Sequence, residues 1–275
     1  MGISLRHHVL ALVASFLMLL VGLLVGVGLS SEPGLQRRLD KMEATFAALS
    51  DENEALQESA DRHEEFARTM LPTLVRARLQ GQVIPLLITT RPLDQSEDAA
   101  TELADVLEAA GARVPYRLAV VEDFAERAVT AYGGDVTSAC ENAAGAIVRR
   151  VLQADEEALQ DLRKRRLIRL QGEVPRVSPT AIAVLGGADL EALSGAEALD
   201  RPLLEALTAA GFERVVGCEA TPPISYIGTY REFGISTVDN VDLARGRVSV
   251  VQALAGQAGD YGDQDSARKA FPEPQ

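Results

Sequence analysis

The residues with the clearest capacity for chemistry lie in the segment STVDNVDLARGR, residues 236–247. Asp239, Asn240 and Asp242 bring two carboxylates and an amide together after a strand-like run, where open α/β sheets bind ligands. The same side chain types also close turns by bonding to nearby backbone groups. Two carboxylates without a histidine or a second acidic cluster specify no reaction, so a ligand site and a structural turn both stay open.

The two cysteines are candidate ligands for a soft metal ion. Cys140 and Cys218 could form a disulfide outside the cytoplasm, or bind Cu(I), which prefers sulfur ligands. Each could equally be a small buried apolar side chain. The histidines are His7, His8 and His63, all of which precede the C-terminal region. Histidine-dependent catalysis is therefore excluded from that region, and we expect no enzymatic activity.

Residues 73–258 are predicted to form an α/β domain because apolar runs of strand length alternate with helical patterns. The strand-like runs are 83–90, 113–121, 180–187, 214–220 and 235–239, and the helical patterns are 99–110, 138–152, 156–170 and 201–211. This alternation predicts a mostly parallel, doubly wound sheet. Residues 259–275 are polar and rich in Asp, Gly and Pro, and are predicted to be a disordered tail.

The first 31 residues carry a membrane signal. The run 9–29 contains no charged residue and is long enough, as a helix, to cross the hydrocarbon core of a bilayer. It exceeds the apolar part of a cleaved signal peptide. We therefore predict an uncleaved signal anchor over residues 1–31. Arg6 favours a cytoplasmic N-terminus, so that a single-pass protein would hold its C-terminal domain outside the cytoplasm.

Residues 32–72 are predicted to form a coiled coil. Apolar residues recur at alternating spacings of three and four, and the seam includes Leu39, Phe46, Leu49, Asn53 and Leu56. An asparagine at one core position is typical of parallel two-stranded coils. Pro72 is expected to stop or kink the helix. The pattern predicts a homodimer, and the alternative is a long helix folded back on its own domain.

The composition and net charge of the chain limit the kinds of molecule that it is expected to bind. The chain has a net charge of −13 and is 47% hydrophobic, which permits an ordinary packed core. An acidic surface repels nucleic acid, so no nucleic-acid partner is expected.

The start ISLRHH, the apolar run, the coiled coil and the segment STVDNVD…GR together resemble the MctB-like family, known as copper transport outer membrane proteins of actinobacteria. The signature residues are Ser236, Asp239, Asn240, Asp242 and Gly246. The resemblance implies a non-enzymatic role in copper transport, efflux or tolerance in the cell envelope, with copper ion as a possible ligand. It assigns no copper ligand to any residue here. A second hypothesis is a dimeric envelope scaffold that binds another envelope protein through its α/β domain.

Overall fold

The computed structural model describes residues 15–22, 33–90, 93–188, 196–222, 224–263, 267–270 and 272. Contacts within the chain divide it into two compact units, residues 1–63 and 64–275.

The first unit is helical where it is described. Residues 15–22 are helical, and helix α1 (Pro33–Val75) begins at a proline and continues into the second unit. Proline is favoured at a helix start because its missing N–H would have no partner there. Most of the predicted anchor, residues 9–29, lies outside the described residues. Within the described residues, no helix combines the length and the apolar character that crossing a membrane requires.

The second unit is built on a seven-stranded sheet. Its strands are β1 (Leu86–Ile88), β2 (Tyr116–Val120), β3 (Ile168–Gly172), β4 (Ile182–Gly186), β5 (Val215–Glu219), β6 (Ser236–Val238) and β7 (Asp260–Tyr261). The strand order is β3-β2-β1-β4-β5-β6-β7. Strand β3 pairs antiparallel with β2, and every other pairing is parallel. The predicted mostly parallel sheet is confirmed.

Helices cover both faces of this sheet. They are α2 (Glu97–Ala109), α3 (Phe124–Tyr132), α4 (Val136–Gln153), α5 (Glu156–Lys164), α6 (Arg201–Ala209), α7 (Ile227–Glu232) and α8 (Ala244–Leu254). Helices α3 to α7 pack on one face, and α2, α8 and the last turns of α1 pack on the other. Strand β4 shows the alternation, since Ile182 and Val184 enter one core while Ala183 and Leu185 enter the other. The domain is therefore doubly wound.

The end of α1 belongs to the domain. Leu71 and Val75 are buried in the core beneath α2 and α8, and Ala67 packs against the same core. The helix ends three residues after Pro72, which lies in its last turn. The final turns of α1 therefore pack back on their own domain, as the alternative to a coiled coil predicts.

Two sequence predictions need correction. The helix predicted to reach residue 170 ends at Lys164, and Arg166 adopts a left-handed φ of 57° before β3 begins. Leu167 and Ile168 are buried, and the pairing of β3 with β2 outweighs the local helical pattern. The tail predicted to be disordered from residue 259 contains β7, whose pairing with β6 completes the sheet.

Candidate functional site

The signature segment closes the carboxyl edge of the sheet after β6. Asn240 has a φ of 55°, which turns the chain sharply at the strand end and is a conformation that asparagine tolerates better than most residues. The Asp239 carboxylate accepts a hydrogen bond of 2.8 Å from the Asp263 N–H. The Asn240 amide donates to the Asp263 carboxylate at 2.9 Å. Both predicted site residues therefore hold the chain that follows β7.

The other polar signature residues make similar links. The Asp242 carboxylate accepts hydrogen bonds of 3.1 Å from the backbone N–H and from the hydroxyl of Thr221, in the loop after β5. The Ser236 hydroxyl accepts a hydrogen bond of 3.2 Å from the Gly259 N–H. These contacts join the loops after β5 and β6 and the approach to β7.

Gly246 and Arg247 fasten helix α8 to the same edge. A Cβ atom on Gly246 would lie 2.2 Å from the Asn240 carbonyl oxygen, so only glycine allows this approach. The buried Arg247 guanidinium donates to the carbonyl of Val241 at 2.8 Å and to that of Asp242 at 2.6 Å. It also forms an ion pair with Glu102 on α2. The structure thus places four of the five predicted signature residues at this edge, whereas Ser236 begins β6 at its amino end. The contacts described for these residues are structural.

Three buried carboxyl groups lie behind this edge, and only that of Asp239 was among the candidate residues predicted from the sequence. Glu219 is fully buried at the end of β5, and Asp200 is buried where α6 begins. Burial raises the pKa of Glu219 to about 7, and the charges of Asp239 and Asp200 add to the rise. Hydrogen bonds from Ser225 and from the Tyr226 N–H oppose it. Glu219 is therefore a carboxyl group that can exchange a proton near neutral pH.

Asp200 also anchors a buried tyrosine. Its carboxylate accepts hydrogen bonds of 2.6 Å from the Thr89 hydroxyl and 2.5 Å from the Tyr230 hydroxyl. A Cβ atom on Gly186 would lie 1.7 Å from the Tyr230 hydroxyl, and a Cβ atom on Gly217 would lie 2.4 Å from the Tyr230 ring. The glycines on β4 and β5 make room for tyrosine. An acidic residue that ends an apolar strand, as Glu219 does, was the signal available in the sequence.

The two cysteines do not share a site. Cys140 lies on α4 in the core on one face of the sheet, and Cys218 lies on β5 in the core on the other face. No disulfide joins them, and both are buried. The Cys218 thiol donates to the Val184 carbonyl at 3.2 Å, and burial raises its pKa, so the thiolate that binds metal is disfavoured.

Among the described residues, no group of three or more His, Cys, Asp or Glu side chains is arranged to hold a metal ion. The buried carboxyl groups supply hard oxygen ligands, whereas Cu(I) prefers sulfur.

The predicted coiled-coil seam lies in the first unit on α1. Its large apolar side chains are 51–77% exposed, namely those of Leu39, Met42, Phe46, Leu49 and Leu56. Asn53, on the same seam, is also exposed. A stripe of this length on one helix has the spacing of a two-stranded coil.

The chain is a doubly wound α/β protein, and the helix that leads into its domain carries a stripe of exposed apolar side chains. The chain belongs to the MctB family. The profile of that family, described as copper transport outer membrane protein, MctB, matches residues 2–272. The match covers nearly the whole chain and confirms the resemblance carried by the signature residues. No curated protein matches the chain. The family suggests an envelope protein related to copper transport.

Proposed function

We propose that this protein supports copper transport or tolerance in the cell envelope as a non-enzymatic, parallel homodimer. In this proposal residues 1–31 anchor it as a single-pass protein, and the α/β domain lies outside the cytoplasm. Family membership supports the copper role. The uncharged run 9–29 supports the anchor.

The exposed apolar seam of α1 is the observation that supports the proposed homodimer. Five large apolar side chains, 51–77% exposed, lie on one stripe of α1. Burying one such side chain fully stabilises an assembly by roughly 1.5–3 kcal/mol, so a paired seam gains substantially from two helices. Asn53 favours two parallel strands in register, because its polar side chain finds a partner in the same position of the second helix.

The copper role is proposed to depend on the assembly and its partners. Both thiols are buried in separate cores of the domain, which disfavours the domain thiols as the route of the ion. A dimer can present surfaces that one chain lacks, and an envelope partner can supply sulfur ligands.

Complementation of a deletion strain tests the proposal. The strain should accumulate copper and grow poorly in copper, and the wild-type gene should reverse both effects. Leu49→Asp places a charge on the seam, and we expect it to abolish complementation and to halve the mass of the detergent-solubilised full chain in sedimentation. Ala48→Asp, one residue away and outside the seam, is the matched control and should behave as wild type. A deletion strain with unchanged copper content and sensitivity would overturn the copper role.

The second candidate function is an envelope scaffold, in which the dimeric helix presents two α/β domains to another envelope protein. The burial of both thiols and the structural contacts of the signature segment favour this reading. It predicts that Leu49→Asp abolishes capture of the partner while copper content stays normal. A copper phenotype that follows the seam variant would instead favour transport.

A further inference from the structure

A cleft of about 690 Å³ opens at the carboxyl end of β2. This is the edge at which open α/β sheets bind ligands, and the volume is typical of small-molecule sites. The charged residues that line it are Arg127, Arg163, Arg166, Arg169, Glu122 and Asp123. Four guanidinium groups around one cleft are unexpected in a chain of net charge −13.

Three elements bring these arginines together. Arg127 lies in the first turns of α3, and Arg163 lies in the last turn of α5. The left-handed Arg166 makes the turn that places Arg169 on β3. The turn that ends the predicted helix early is therefore also the turn that assembles the cleft.

Charge pairing leaves an excess of positive charge. Asp123 forms an ion pair of 2.6 Å with Arg127. The Glu122 carboxylate accepts a hydrogen bond of 3.1 Å from the Leu93 N–H. In the part of the chain that the structure describes, no carboxylate lies within salt-bridge distance of Arg166 or Arg169. Like charges around one cleft repel one another, and a bound anion relieves that repulsion.

We propose that this cleft binds a small phosphate-bearing anion. Guanidinium groups donate paired hydrogen bonds to phosphate oxygens, and a doubly charged phosphate balances two arginines where a carboxylate balances one. The acidic surface of the whole chain repels long polyanions, which selects a small molecule or a single headgroup. The site is independent of the copper role and of the seam.

Calorimetry on the detergent-solubilised full chain tests the site, with inorganic pyrophosphate as the first probe and soluble short-chain phosphatidylglycerol as the second. The variant Arg166→Glu/Arg169→Glu reverses two exposed charges and should weaken pyrophosphate binding by about 100-fold, roughly tenfold for each guanidinium. Arg176→Glu is the matched control. Arg176 is an exposed arginine that follows β3. Strand β3 ends beside the first residue of β2, at the end of the sheet opposite the cleft. Arg176→Glu should leave binding unchanged.

The two probes separate the sources of phosphate. Binding of pyrophosphate alone indicates a soluble phosphate compound, and preferential binding of phosphatidylglycerol indicates a lipid headgroup. Loss of either signal in the double variant supports the cleft. Absence of binding to the wild-type protein at millimolar concentrations of both probes would overturn the proposal, as would equal binding by the double variant. Circular dichroism identical to wild type shows that the double variant is folded.

Discussion

Large apolar side chains are exposed on the stripe of α1 between Leu39 and Leu56, but they are buried in the α/β domain. In the domain, large apolar side chains such as Leu86 and Leu118 are completely buried. On the stripe, Phe46 is 77% exposed. The domain therefore satisfies its hydrophobic surface within one chain, while the helix presents apolar side chains that a second helix can cover.

The polar residues show the same contrast. In the domain, the side chains of Asp242 and Arg247 bind partners within the fold, both backbone groups and other side chains. On the stripe, Asn53 is exposed at a position where a coiled coil would bury it. Within the described residues, the signature segment makes its hydrogen bonds inside the fold, while the apolar repeat on α1 leaves its side chains exposed.

The largest effect is expected at the carboxyl edge of the domain. Gly246→Ala puts a Cβ atom 2.2 Å from the Asn240 carbonyl oxygen, so the turn or α8 must move. We expect the free energy of unfolding to fall by about 3 kcal/mol, as for other overpacked positions. Urea unfolding of the detergent-solubilised full chain measures it.

Gly145→Ala is the matched control within α4. A Cβ atom there meets nothing within 4 Å, so alanine should stabilise the helix by about 0.5–1 kcal/mol. A Gly246→Ala variant as stable as wild type would show that the carboxyl edge is not closely packed around Gly246.

A comparable effect is expected from Glu219. Its pKa rises from 4.5 to about 7 on folding, so between these values the folded state keeps a proton that the unfolded state releases. Stability therefore falls as pH rises from 4.5 to 7, by about 3 kcal/mol from this group. Glu219→Gln should remove that slope from pH-dependent urea unfolding.

Glu213→Gln provides the control, because Glu213 is an exposed glutamate just before β5. This variant should keep the slope of the wild type. A Glu219→Gln profile with the wild-type slope would show that the pKa of Glu219 is the same in the folded and unfolded states.

The smallest effect concerns the thiols. Cys140 and Cys218 are buried in cores on opposite faces of the sheet. We expect Cys140→Ser and Cys218→Ser to leave Cu(I) binding unchanged when a chromogenic chelator competes under reducing conditions. Stoichiometric Cu(I) binding that either substitution removes would place a copper site in the domain and contradict this expectation.

The sequence predicted much of the fold because most signals were local. The apolar runs at 180–187 and 214–220 became β4 and β5, since strands buried on both faces need continuous apolar residues. The helix beyond Lys164 was wrongly predicted because Leu167, Ile168 and Leu170 suit a helix or a strand, and pairing with β2 decides. Only non-local contacts reveal that choice.

Less of the candidate site than of the fold could be predicted from the sequence. The sequence places Asp239, Asn240 and Asp242 after a strand, where they could bind a ligand or close a turn. Their partners at Thr221 and Asp263 lie about twenty residues away in the chain, so the folded edge had to be seen. The arginine cleft likewise depends on the turn at Arg166. No local residue pattern predicts the left-handed conformation of this residue.

In the proposed function, the stripe on α1 pairs with the same stripe of a second chain, parallel and in register. Leu49→Cys tests it directly, because matching core positions of a parallel coil lie close enough for a disulfide. Mild oxidation of the full chain should give an intermolecular disulfide for Leu49→Cys and far less for Ala48→Cys, since Cys140 and Cys218 are buried. Equal cross-linking of the two variants, or none in Leu49→Cys, would contradict the claim.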